Sequence, residues 1–197
     1  MAVTASLARW RRWMVGGVAV IGLAVGLAPA AEIDPAGSHV GFLLRTRWGQ
    51  SLQGRFPDAR GEVAELPDGR HQVRLRLAAR SVEILGHGSY TRITRGVGFF
   101  DVERYPVVEF VSDPYAPQLL HQGGALAGTV TIRDVRHREV FTIDPAACQE
   151  PARTCDVVAG GSIRRSDYGM DRWNFALSDK VRFSLRVRVR DEAAIAR

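Results

Sequence analysis

The residues best suited to proton transfer or metal ligation are five histidines, His39, His71, His87, His121 and His137, and they are scattered along the chain. No two of them stand at the spacing that puts a pair of ligands on one element, so no metal site is read. Ser38 and His39 are neighbours, but adjacent residues of a strand point to opposite faces and cannot act together as nucleophile and base. The chain has no Gly-x-Ser-x-Gly, no His-Glu-x-x-His and no dinucleotide-binding glycine pattern, so an enzymatic reading has no positive support and a catalytic set is not expected. Arg164, Arg165 and Asp167 form a charge cluster. An arginine presents a planar fork suited to phosphate, so Arg164 and Arg165 are candidates for an anionic headgroup; the alternative is an ion-pair set that fixes a strand end. Phe99-Phe100-Asp101 reads either as part of an apolar lining or as a plug of two rings with Asp101 capping a turn or pairing with an arginine.

Cys148 and Cys155 are the only cysteines. In an oxidising compartment two cysteines this close pair with each other, closing a short loop worth roughly 2.5 kcal/mol in the chain-entropy treatment. Export is expected from the N-terminus. Arg9, Arg11 and Arg12 precede an apolar run from Met14 to Leu27, and Ala28-Pro29-Ala30 offers a small-residue cleavage site, so residues 1–30 read as a secretory signal peptide. An uncleaved anchor is the competing reading, because the uncharged run approaches the roughly 20 residues of a spanning helix. The formal charge of the whole chain is +6; without the leader, 24 basic residues face 21 acidic ones. That excess is too small and too dispersed for a nucleic-acid footprint.

The elements that must position these side chains are strands. Val181, Phe183, Leu185, Val187 and Val189 alternate with Arg182, Ser184, Arg186, Arg188 and Arg190, and Val73, Leu75 and Leu77 alternate with arginines in the same way. A period of two marks strands with one buried and one wet face. Strands are expected near 38–47, 51–57, 71–79, 106–112, 125–132, 138–143, 157–164 and 181–190, with 61–65 extending or adding to this set. Turn signals separate them, including Trp48-Gly49-Gln50, Leu66-Pro67-Asp68-Gly69 and Asp134-Val135-Arg136. Residues 86–97 are the one stretch between strands long enough for a short helix. Short amphipathic strands with hairpin-scale connections predict an antiparallel barrel or sandwich, and closure favours an eight-stranded barrel because it hides the sheet edges. At that size the interior is either filled by side chains or just wide enough for one small ligand.

Four stretches carry a resemblance. Asp34-Pro35-Ala36-Gly37-Ser38-His39-Val40-Gly41-Phe42 resembles the opening of YceI-like proteins. Gly98-Phe99-Phe100-Asp101 through Phe110, the Gly128-centred stretch Leu126–Val135, and Ile163-Arg164-Arg165-Ser166-Asp167-Tyr168-Gly169-Met170 follow in the family's order. Gly37 stands where the family commonly carries a His. The resemblance implies one lipid-binding domain over residues 31–197: an all-β, lipocalin-like antiparallel barrel, located in the periplasm, holding a polyisoprenoid, isoprenoid quinone or acyl lipid. The lining residues it would use are Phe42, Leu44, Phe56, Phe99, Phe100, Phe110, Ile132, Tyr168, Met170, Trp173 and Phe183, each of which also reads as plain core. No cofactor other than the bound lipid is expected. A second reading makes the barrel a non-enzymatic partner module of a membrane redox or stress pathway, docking on an integral cytochrome or presenting quinone to it. A homodimer stays open.

Overall fold

The computed structural model describes residues 30–190. The leader expected over residues 1–30 lies outside the described residues, except for Ala30, which opens the first strand. Eleven strands form a single antiparallel sheet: β1 (Ala30–Glu32), β2 (His39–Thr46), β3 (Ser51–Arg55), β4 (Ala59–Glu65), β5 (His71–Ala78), β6 (Glu83–Ile84), β7 (Val107–Ser112), β8 (Gly124–Ile132), β9 (Val135–Ile143), β10 (Val157–Arg164) and β11 (Leu177–Val187). Their order across the sheet is β1-β4-β5-β7-β8-β9-β10-β11-β2-β3-β6. One helix, α1, spans Gly88–Arg95, inside the stretch expected to be helical, and a single turn, α2, spans Leu119–Gln122.

The expectation of eight strands is corrected to eleven. Two of the three additional strands, β1 and β6, lie at the sheet edges and have three and two residues, too few for a period of two to register; the third, β4, is the stretch 61–65 left open by the sequence, begun two residues earlier and paired on both sides. The β8–β9 hairpin also shifts. Its two turn residues are Arg133 and Asp134, with φ of 53° and 61°, so β9 begins at Val135. Positive φ at both central positions is what a two-residue hairpin needs to match the twist of its strands.

The sheet curls but its ladder does not run continuously around a ring. Its seam is held near β1, where Ile33 bridges Val189 just beyond β11 while β1 itself pairs with β4. The Asp34–Ser38 stretch builds this seam. Asp34 carboxyl oxygens accept the N–H groups of Ala36 and Gly37, both at 3.0 Å, and Ser38 Oγ accepts Arg188 N–H at 3.0 Å while donating to Arg188 O at 3.2 Å. Ser38 is buried, so these bonds are shielded from water. On the other side of the gap, Ala78 N–H donates to Asp58 O at 2.9 Å, tying the β3–β4 connection to β5.

The curl gives the molecule two ends. At one, the β2–β3 turn, α1 and the loop from Arg165 to Ala176 meet; this is the α1 end. At the other lie α2 and the 144–156 loop, which is closed by the Cys148–Cys155 disulfide with a Cα–Cα distance of 6.2 Å. That loop crosses the barrel end, since Ala152 is buried and its carbonyl accepts Val189 N–H at 2.9 Å.

Candidate functional site

The inward face is built from every second residue of the long strands: Val40, Phe42 and Leu44 of β2, Leu75 and Leu77 of β5, Leu126 and Val130 of β8, Ile163 of β10. Phe110 of β7, Phe141 of β9 and Phe183 of β11 join Phe42 on this face, and a ring projecting straight inward would fill the lumen. Three glycines prevent this. A Cβ on Gly54 would stand 2.1 Å from Phe42 Cζ, one on Gly128 2.5 Å from Phe110 Cε2, and one on Gly161 2.5 Å from Phe141 Cδ1. Each ring therefore lies flat across the neighbouring strand, where only a missing side chain leaves room. The rings become wall instead of filling.

The hollow that remains is divided into two apolar cavities. One, of about 230 Å³, opens toward the disulfide end and is lined by residues including Val73, Phe110, Tyr115, Phe141, Phe183 and Leu185. The other, of about 270 Å³, lies at the α1 end and is lined by residues including Leu44, Phe100, Ile93, Met170, Trp173 and Phe175. Ile163 borders both. A row of rings runs between them: Phe183 to Phe42 at 5.9 Å, Phe42 to Phe56 at 5.7 Å, and Phe56 to Phe100 edge-on at 5.6 Å.

Of the residues singled out in the sequence, Phe42, Leu44, Phe99, Phe100, Met170 and Trp173 line the α1-end cavity, and Phe110 and Phe183 line the other. Phe56, Ile132 and Tyr168 line neither. Phe56 sits in the ring row, Ile132 is packed in the core, and the fully buried Tyr168 donates its hydroxyl to Glu139 Oε1 at 3.0 Å with its ring edge-on to His137. Burial, and then the Glu139 carboxylate, push the Tyr168 phenol far above its ordinary pKa, so it stays a donor. Trp48, Tyr90, Ile93 and Phe175 belong to the α1-end cavity and were not singled out. Trp48 lies in a stretch read only as a turn, and Tyr90 and Ile93, one helical turn apart on α1, in a stretch read only for its length. Val73 and Leu185 stood in plain alternation, which marks a buried face but does not separate lumen from packed core.

Arg164 and Arg165 part company. Arg164 is exposed, one residue out of phase with the inward Ile163. Arg165 is only 2% exposed. Its Nε donates to Ser178 O at 3.1 Å, Nη1 to Met170 O at 2.7 Å and Arg172 O at 3.2 Å, and Nη2 to Asn174 Oδ1 at 2.9 Å. Four bonds occupy four of the five N–H groups of a guanidinium, and its face lies over the Phe99 ring at 5.8 Å. Burial lowers its pKa, opposed by the charges of Asp179 and Asp171. The chemistry of this arrangement is that of a clasp, holding the 166–176 loop against the barrel. The loop in turn holds Trp173 with a φ of 68°, a left-handed backbone rare for a bulky residue, with Ala176 and Leu177 N–H groups bonded to its carbonyl.

Few polar groups border the hollow, among them the clasping Arg165 at the α1 end, and His71, Glu109, Tyr115 and Arg153 at the other. At the disulfide end Tyr115 borders the cavity, its phenol pushed up to about 12 by burial, with His71 edge-on at 6.0 Å. Among the described residues, no three His, Cys, Asp or Glu side chains gather as a metal site, and no helix is long and apolar enough to cross a membrane.

The fold is an all-β, curled antiparallel sheet around an apolar hollow. The chain matches the YceI-like domain over residues 32–189 and belongs to that family. Solved structures share its fold. BcnA of Burkholderia cenocepacia superposes with a TM-score of 0.65 at 20% identity, covering 81% of this chain and 99% of that one. A polyisoprenoid-binding domain from Saccharophagus degradans, implicated in plant cell wall breakdown, gives 0.61 at 12% identity, covering 81% and 97%. The YceI protein of Campylobacter jejuni gives 0.51 at 18% identity, covering 71% and 85%. At these identities the likeness is one of fold. No curated protein matches the chain.

Proposed function

We propose that the protein is an exported, non-enzymatic carrier or sequestering protein that shields a long apolar molecule, an isoprenoid, a quinone or an acyl lipid, inside its curled sheet. The observation that carries this reading is the pair of apolar cavities bordering a common residue, Ile163, kept open by rings laid flat over Gly54, Gly128 and Gly161. Together the two volumes fall in the range of roughly 300–1,000 Å³ found for small-molecule sites. Transfer of each methylene from water into such a lining is worth about 0.8 kcal/mol without any directed contact. Affinity therefore grows with chain length while selectivity stays loose. The Saccharophagus relative is a polyisoprenoid-binding domain, which supports the same ligand class.

Arg165 has one N–H left for a headgroup, so recognition rests on the tail. Export through the N-terminal leader into the periplasm goes with this reading. The test is organic extraction of the purified chain followed by mass spectrometry. A prenyl or acyl lipid near one per chain is expected; protein free of lipid that also fails to take up an apolar fluorescent probe contradicts it. The reading as a partner module on a membrane cytochrome is favoured by exposed rings at the α1 end, and crosslinking in native membranes tests it.

A further inference from the structure

Ten large hydrophobic residues are exposed among the described residues, and seven of them, Trp48, Leu85, Tyr90, Ile93, Val97, Trp173 and Phe175, fall in the three segments that frame the α1-end cavity. Trp48 is 73% exposed and Phe175 74%. Helix α1 buries none of its residues. It turns Tyr90 and Ile93 toward the cavity mouth while both remain partly exposed to water. Trp173 and Phe175 stack at 5.6 Å, and Arg47 Nε, beside Trp48, donates to Asn174 O at 3.2 Å, so two separate segments form one rim.

The charge on the same segments is one-sided. Residues 45–50, 85–100 and 165–176 contain six arginines, Arg45, Arg47, Arg92, Arg95, Arg172 and the buried Arg165, against two acids, Asp167 and Asp171. The loops of the opposite end, 113–123 and 144–156, contain four acids, Asp113, Asp144, Glu150 and Asp156, against Arg153, and none of the exposed large hydrophobics. Tryptophan, tyrosine and phenylalanine among arginines is the composition that settles at the headgroup level of a bilayer, where the rings enter the acyl boundary and the cations meet anionic lipid. An apolar rim with acidic neighbours would be repelled from such a surface; this one is drawn to it.

We infer that the α1 end is a docking face for an anionic lipid bilayer, with Trp48, Tyr90, Trp173 and Phe175 entering the interface and Arg47, Arg92 and Arg172 pairing with lipid headgroups. Docked in this way, the cavity mouth meets the acyl region directly. An apolar chain then moves between bilayer and barrel without crossing water. This role rests on the carrier reading, while the docking itself does not.

The test is hydroxyl-radical footprinting of the full chain, alone, with phosphatidylcholine vesicles, and with vesicles of equal parts phosphatidylcholine and phosphatidylglycerol. Oxidation of Trp48, Trp173 and Phe175 is expected to fall with the anionic vesicles, and Val140, exposed on the outer face of β9, to keep its rate. The full chain is used because protection of these side chains reports the face that touches lipid, whatever its N-terminal segment does. A monomeric alkyl detergent that fills the cavity without forming a surface should leave the outward rings of Trp48 and Phe175 reactive. Arg92→Glu with Arg172→Glu, both at exposed positions, should weaken protection roughly five-fold per charge removed. Unchanged oxidation of the rings with anionic vesicles overturns the proposal, as does protection that spreads equally to Val140. Protection that requires native membranes and is missing with protein-free vesicles assigns the face to a protein and also overturns it. Protected rings on protein without extractable lipid would leave docking standing and remove the carrier; lipid without protection does the reverse.

Discussion

The α1 end and the disulfide end close the same curled sheet by different means. At the disulfide end a covalently closed loop crosses the barrel with its own Ala152 buried, and the loops there are acidic. At the α1 end the crossing loop is held without a covalent link, by the four hydrogen bonds of buried Arg165 together with those of Ser166 to Asp179 and of Arg133 to Gly169 O, and its outer surface is aromatic and basic. A disulfide limits opening chiefly by constraining the chain; a set of hydrogen bonds opens locally at a cost that depends on each bond. The difference teaches that the sheet supplies the hollow while the loops decide where it is reached. A loop held by hydrogen bonds alone is expected to open more readily than one closed by a disulfide, and that loop lies at the α1 end.

Substitutions that loosen one end and spare the other break or sharpen this contrast. The largest effect is expected for Arg165→Leu, which leaves three backbone carbonyls and Asn174 without their donor; at about 1 kcal/mol net per hydrogen bond the loss is about 3–4 kcal/mol. Calorimetric melting should show it, and an unshifted melting temperature would mean that the loop is positioned by the strands alone. Next comes Cys148→Ser with Cys155→Ser, expected to lower stability by roughly 2.5 kcal/mol. Amide exchange should quicken in residues 144–156 and α2 and stay slow in the Arg165–Ala176 loop; equal quickening at both ends would erase the distinction.

A smaller effect separates the cavities themselves. Gly54→Ala should drive the Phe42 ring into the α1-end cavity, and Gly161→Ala should drive Phe141 into the other, each costing about 1–3 kcal/mol by overpacking. Titration with an apolar fluorophore should show reduced uptake in both variants; unaltered uptake would mean that the rings find room elsewhere. The smallest effect is on acidification. Burial raises the Asp179 carboxyl, but the N–H at 2.9 Å and the hydroxyl at 2.8 Å from Ser166 outweigh it and hold it below its ordinary 3.8. A folded pKa below the unfolded one gives stability that is complete above about 3.8 and fades as pH falls through the folded value. At the disulfide end the Arg188 guanidinium lowers Asp156 with the same sign. Asp179→Asn should therefore remove the acid sensitivity of the α1-end loop alone, read by tryptophan emission below that pH.

Much of this was legible in the residues. Alternation in β2, β5, β10 and β11 gave the inward face, because a half-buried strand must alternate, and the proximity of Cys148 and Cys155 was enough to suggest their pairing. The ring-over-glycine wall was not legible, since it depends on which strand lies beside which: Gly54 faces Phe42 only through the β2–β3 register, and Gly161 faces Phe141 only through β9–β10. Tyr168 and Met170 sit two residues apart in one motif, yet one is core and one is lining, because the short helical turn Ser166–Tyr168 sends the first against β9 and leaves the second at the cavity. Arg165 read as a headgroup candidate because a fork suited to phosphate is equally suited to carbonyls, and only the loop's path decides between them.

The central claim is that the hollow holds an apolar chain. The most direct measurement is the anomalous scattering of a terminally brominated alkyl chain bound to the crystalline protein. The account predicts bromine inside the curled sheet, in one of the two cavities or beside Ile163 between them. Bromine confined to the outer surface, with Phe42 and Phe183 closed over an empty interior, would contradict it.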